Sequence, residues 1–183
     1  TLIRYHLGTA WFHAGQHALL ASNTERWLSE ARERNDVLGA GLLTTMGYGF
    51  LRHLMADAPQ AALQELRAVA ATLPATPYSF VHLGLRIGNT FGLLYVGGRG
   101  ALDYLDAHET EHRAAFLFRT RNVKQAGLQH RFSALLGACA SAEVSQRSAL
   151  LAELRRRVRE QQGRRTAITA SVALVRAQLE ALD

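Results

Sequence analysis

The 183-residue chain has one cysteine, Cys139, which excludes an internal disulfide and a zinc cluster built from thiolates. A reducing cytoplasm is the compartment that this usage implies. No run approaches the roughly 18 consecutive apolar residues of a membrane helix. Arg4 and His6 interrupt the opening segment as a signal peptide. The expectation is a soluble chain without membrane contact, and its start at Thr1 rather than methionine suggests a piece of something longer. Prolines number three, Pro59, Pro74 and Pro77, and each lies between apolar-periodic segments, where it punctuates rather than breaks. Acidic residues are scarce in the last third. Residues 1 to 112 carry 8 Lys and Arg against 10 Asp and Glu, whereas residues 113 to 183 carry 13 against 5. The net charge of +6 therefore belongs to the C-terminal part.

What is present is a globular composition, 48% hydrophobic and 20% charged, which excludes a disordered chain. Apolar residues recur at spacings of three and four, as one face of an α-helix requires. Examples are Leu43, Met46, Phe50 and Leu54, then Leu63, Leu66, Ala70 and Leu73, then Leu128, Phe132, Leu135 and Cys139. No segment alternates as a strand does. The spacing predicts an all-α fold of about nine helices, near 1–15, 23–34, 37–56, 59–73, 78–96, 99–110, 113–140, 144–161 and 164–182. Ser22, Asn23 and Thr24 are expected to cap a helix starting near Glu25. Pro59 suits the first turn of the next short helix, and Gly97 with Gly98 suits a helix end.

A shift of 39 residues aligns Ile3, Leu42 and Val81, then Leu7, Met46 and Leu85, then Ala10, Gly49, Gly88 and Gly127. In the second helix of each unit it aligns Trp27, Leu66 and Leu105. The pattern predicts one domain of stacked antiparallel helix hairpins, an α-solenoid, with repeats near 1–36, 37–77, 78–112 and 113–161 and a capping helix at 164–183. The small residue at the third position is expected to let a partner helix approach closely.

Leu7-Gly8-x-x-Trp11 and Leu43-x-x-Met46-Gly47-x-x-Phe50 resemble the first helix of a tetratricopeptide repeat, and Ala62-x-x-x-Leu66 and Ala101-x-x-x-Leu105 resemble its second helix. The third unit departs, with Arg86 and Asn89 where small and aromatic residues would stand. More narrowly, the stretches SEARERNDVLGAG, MADAPQAALQEL, YSFVHLGLRIGNTFGLLYVGG and FLFRTRNVKQAGLQHRFSALLGACA are similar to the helical C-terminal region of large bacterial serine/threonine protein kinases with an ATPase segment. That resemblance implies a non-catalytic regulatory or scaffolding segment that binds a protein, a peptide or other domains of its own chain, with no cofactor. No glycine-rich phosphate loop, His-Arg-Asp or Asp-Phe-Gly motif occurs. Residues expected on the inner side of the first helices, and so the candidates for partner contact, are Arg4, His6, Thr45, His53, Arg86 and Asn89.

Four other features compete with this reading. His108-Glu109-Thr110-Glu111-His112 has the spacing of a zinc-peptidase helix, which makes His108 and His112 candidate metal ligands and a zinc hydrolase an alternative. Against it stand the charge of Glu111, the lack of a second signature downstream, and a repeat register that puts both histidines at packing positions. His13 and His17 form another pair one turn apart, read as a solvated face. Gly97, Gly98 and Gly100 lack the lysine and hydroxyl residue of a phosphate loop and read as a turn. Arg155, Arg156, Arg157, Arg159, Arg164 and Arg165 place six arginines within eleven residues. They read as a solvated helix face, or else as a contact to an acidic protein or nucleic acid, as in the helical sensor arm of a transcription regulator. Trp11, Trp27, Phe50 and Phe91 are expected core anchors, and Cys139 a buried small hydrophobe.

Overall fold

A computed structural model of the chain describes residues 2–74, 77–161 and Val175, with the side chain of Phe118 excepted. Among the described residues every regular element is a helix. They are α1 (Leu2–His13), α2 (His17–Glu33), α3 (Val37–Thr44), α4 (Leu51–Met55), α5 (Pro59–Ala71), α6 (Phe80–Val96), α7 (Gly100–Ala107), α8 (Glu109–Ala114), a 3-10 turn (Phe116–Arg119), α9 (Arg121–Ser141) and α10 (Val144–Gln161). The expected helix at 164–182, with Arg164 and Arg165, lies outside the described residues apart from Val175.

The chain divides into two compact units, Thr1–Val96 and Gly97–Asp183. In the first, α1 packs on α2 and α3, α3 on α5 and α6, and α5 on α6. In the second, α9 packs on α7 and α10. The division falls where Gly97 and Gly98 take φ of 88° and 74°, a left-handed conformation that ends α6 as expected. Pro59 opens α5 in its first turn.

Three helices differ from expectation. The one expected at 113–140 starts only at Arg121, after α8 and the 3-10 turn. α2 starts at His17, not Glu25, so Ser22, Asn23 and Thr24 lie within it. Instead of capping, their side chains donate back to the Leu19 and Leu20 carbonyls at 2.7–3.2 Å. The expected helix 37–56 is split. α3 is capped by Asp36, whose carboxylate accepts from the Gly39 amide at 2.8 Å, and it stops at Thr44. Thr45–Phe50 then turns through Tyr48 at φ 58°. Thr44 and Thr45, both β-branched, with Gly47 and Gly49 weaken helix propensity there. The Tyr48 ring stacks on Phe12 of α1 at 4.0 Å, which holds the left-handed residue in place.

The repeat register holds better in the second helices than in the first. Trp27, Leu66 and Leu105 are all buried. Gly49 and Gly88 are buried, but Ala10, Ile3 and Leu7 are exposed, so the small contact residue of α1 is not Ala10. It is Gly8, where a Cβ atom would stand 2.6 Å from the Gly47 carbonyl oxygen. On α6, Gly84, Gly88 and Gly92 form the matching stripe. Added Cβ atoms would meet the Thr45 Cβ at 2.6 Å, Leu66 at 2.8 Å and Leu63 at 2.8 Å.

Candidate functional site

Two of the residues expected to form a contact surface are out of a partner's reach, and the others are exposed or half-buried. Thr45 and Arg86 are buried, at 0% and 3% exposure, because α6 packs over the end of α3. Thr45 donates its hydroxyl to the Gly41 carbonyl at 2.8 Å. Asn89 donates to the Leu85 carbonyl at 2.8 Å on its own helix. Arg4 pairs with Glu30 at 2.6 Å and lies 5.9 Å over the Trp27 ring. Its hydrogen bond holds the Glu30 carboxyl below the usual range. His53 Nε2 stands 3.2 Å from Glu65. His6 is exposed, with its ring against Tyr5 at 4.0 Å.

On α10 the arginines are partly neutralised within the helix. Glu153 takes hydrogen bonds from Arg156 and from Arg157, at 2.7 and 2.5 Å, and Glu160 also binds Arg156. Burial alone would raise the Glu153 carboxyl, but these two arginines hold it below its ordinary value. Arg159 is exposed and Arg155 half-buried on the same helix.

The zinc-peptidase spacing spans the junction of two helices, with the His112 amide donating to the His108 carbonyl at 3.1 Å. His108 is the junction where α7 ends and α8 begins, with φ −105° and ψ 6°. Its Nδ1 lies 2.9 Å from the Tyr104 carbonyl. His112 is 3% exposed, and the two imidazole centroids are 6.1 Å apart. Glu109, the residue that would activate a metal-bound water, accepts from Arg113 at 2.7 Å. Among the described residues no group of three His, Cys, Asp or Glu side chains is placed to hold a metal ion.

What the first unit offers instead is an apolar groove of about 500 Å³, within the size range of ligand sites. Phe12 of α1, Leu54 of α4 and Phe91 of α6 make its floor, and Met55, Tyr95 and His17 its rim. The rings of the floor pack on one another. Phe12 lies edge-on to Phe91 at 6.2 Å, and Phe91 packs against the buried Phe50 at 6.1 Å. On the rim, the Tyr95 hydroxyl donates to Asp57 at 3.0 Å, a bond that raises the phenol above its ordinary value. A second cavity of about 320 Å³ lies against α2, α3 and α5, but its acidic side chains are already engaged, Asp36 as the cap of α3 and Glu65 with Arg52.

Comparison with protein-family models, with curated proteins and with solved structures returns no match for this chain. The groove therefore stands on its own chemistry. Sequence reasoning placed Phe91 in the core and passed over Phe12, Met55 and Tyr95. The available signal was surplus apolarity: Leu51 and Met55 flank the stripe that ends at Leu54, and Tyr95 follows Leu94.

Proposed function

We propose that the chain is a non-catalytic protein-binding module of tetratricopeptide-like helix hairpins, and that its first unit holds a short apolar stretch of a protein or peptide partner. The observation that carries this reading is the groove. Met55 and Tyr95 leave 51% and 50% of their surface in water above an aromatic floor, an arrangement that gains free energy when a partner side chain covers it. The groove is lined mainly by carbon, with His17 and the engaged Tyr95 hydroxyl as its polar groups, which suits recognition better than bond chemistry.

The hairpin arrangement is supported inside residues 1 to 96 by the contacts of α1 with α3 and of α3 with α6. In a stack of hairpins each first helix touches the next first helix. The resemblance to the regulatory region of large bacterial kinases makes domains of such a parent chain, in the bacterial cytoplasm, the first partners to test. Selection of displayed peptides against the folded chain checks the reading. Enriched peptides should carry a large apolar residue and bind Met55→Glu roughly tenfold or more weakly, with helicity unchanged. Peptides that ignore this substitution, or no enrichment at all, would overturn it.

A further inference from the structure

We infer that the partner segment held by the apolar groove is an amphipathic helix with a basic residue beside its apolar stripe, bound so that this residue meets Asp57. The inference rests on the binding reading above and names the kind of partner that the same groove takes. Every residue lining the groove lies in a helix, α1, α2, α4 or α6. Helices bond their N–H and C=O groups along their own axes, so these walls present no sheet edge for an added strand to complete. Polar side chains in the lining are few. The Tyr95 hydroxyl already donates to Asp57 at 3.0 Å, which leaves the His17 ring. An extended peptide pressed into such a groove would bury amides and carbonyls that find no partner. A helix arrives with its backbone already bonded and lays only side chains on the floor.

The floor also has a helix's spacing. The Phe12 ring lies 5.9 Å from that of His17 and 6.2 Å from that of Phe91. One turn of a helix rises by about 5.4 Å, so apolar side chains three and four residues apart match the intervals between these rings.

The rim sets the charge beside that stripe. Asp57 is exposed, and its carboxylate takes the hydroxyl of Tyr95, the next-to-last residue of α6. The end of this 17-residue helix adds partial negative charge at the same place. No arginine or lysine among the described residues pairs with Asp57, so a partner's cation has an open acceptor there. A second copy of the chain does not supply such a helix from its described residues. Its basic helix is α10, and Leu151, Leu154 and Val158 of that stripe are buried.

Two display libraries selected on the folded chain test the inference. One randomises the outer face of a helix in a helix-hairpin scaffold, and the other holds random peptides with regularly spaced prolines, which exclude a helix. Clones sensitive to Met55→Glu should come from the helical library, with large apolar residues three and four apart and a Lys or Arg within one turn of them. In a selected clone, proline at one solvent-facing position should weaken binding roughly tenfold or more. Asp57→Asn should weaken it about threefold, and less at high salt. Once the clone's cation is changed to Gln, Asp57→Asn should have no effect. Asn accepts the left-handed backbone of position 57, φ 55°, and can still take the Tyr95 hydroxyl, so circular dichroism should report the same melting midpoint. Met55-sensitive clones that come equally from the proline library, tolerate the added proline or ignore Asp57→Asn would overturn this inference and leave the binding module standing. An absence of Met55-sensitive clones from both libraries would overturn the module and the inference together. A Met55-dependent dimer in sedimentation would overturn the inference by giving the groove to a second copy.

Discussion

Arg52 holds Glu65 with both terminal nitrogens, Nη1 at 2.9 Å from Oε2 and Nη2 at 2.8 Å from Oε1. The two side chains are only 13% and 14% exposed, so the pair works with little solvent screening. Arg52 also donates to the Gly49 carbonyl at 2.8 Å and to Glu25 at 3.1 Å. One guanidinium thus ties α2, the turn after α3, α4 and α5 together.

Removing the charge of Glu65 should therefore be costly. Glu65→Gln keeps the side chain's shape but leaves Arg52 largely buried with a weaker acceptor. The expected loss is about 2–3 kcal/mol, at or below the usual cost of breaking a buried pair because Glu25 still accepts one hydrogen bond. Urea denaturation measures it. An unchanged midpoint would show that the pair adds nothing to the first unit.

The glycine contacts separate two kinds of close approach. In Gly88→Ala the new methyl meets the Leu66 side chain, which can shift, and about 1–2 kcal/mol should be lost. In Gly8→Ala it meets the Gly47 backbone carbonyl, which cannot, and the loss should be larger. Ala10→Leu, at an exposed position, should change stability by less than about 0.5 kcal/mol. If Ala10→Leu instead costs as much as Gly8→Ala, the assignment of the contact residue is wrong.

Cys139 is buried, and burial pushes its thiol up, with the Arg147 charge a smaller opposing influence. The unfolded thiol ionises near 8.5. Above that pH the unfolded chain sheds a proton that the native thiol keeps, so stability should fall as pH rises from the unfolded value through the higher native one. Cys139→Ala should flatten that decline in a pH series of melts. In native protein the thiol should react with a disulfide reagent only as fast as the second unit opens.

Zinc analysis of protein purified without a histidine tag should find much less than one equivalent per chain. His112→Ala should lower stability, as loss of a buried side chain does, and should leave the zinc content where it was. A full equivalent of zinc that disappears in His108→Ala would restore the metal-site reading.

Much of the architecture rests on local chemistry and was legible from residue order alone. The α-class follows from apolar spacings of three and four. The end of α6 at Gly97 and Gly98 and the start of α5 at Pro59 follow from the φ angles those residues permit. Trp27, Leu66 and Leu105, spaced 39 residues apart, are all buried, each on the apolar stripe of its helix. Partners far apart in the chain decided the rest. The periodic run through Leu43, Met46, Phe50 and Leu54 masks the break after Thr44, which the threonines and glycines there permit and the stacking of Tyr48 on Phe12 of another helix accompanies. Gly8 rather than Ala10 makes the close contact because the Gly47 carbonyl lies there. The groove exists because α1, α4 and α6 converge on it. Hydrophobic periodicity says which residues seek cover, but only the three-dimensional placement of their neighbours says which of them find it.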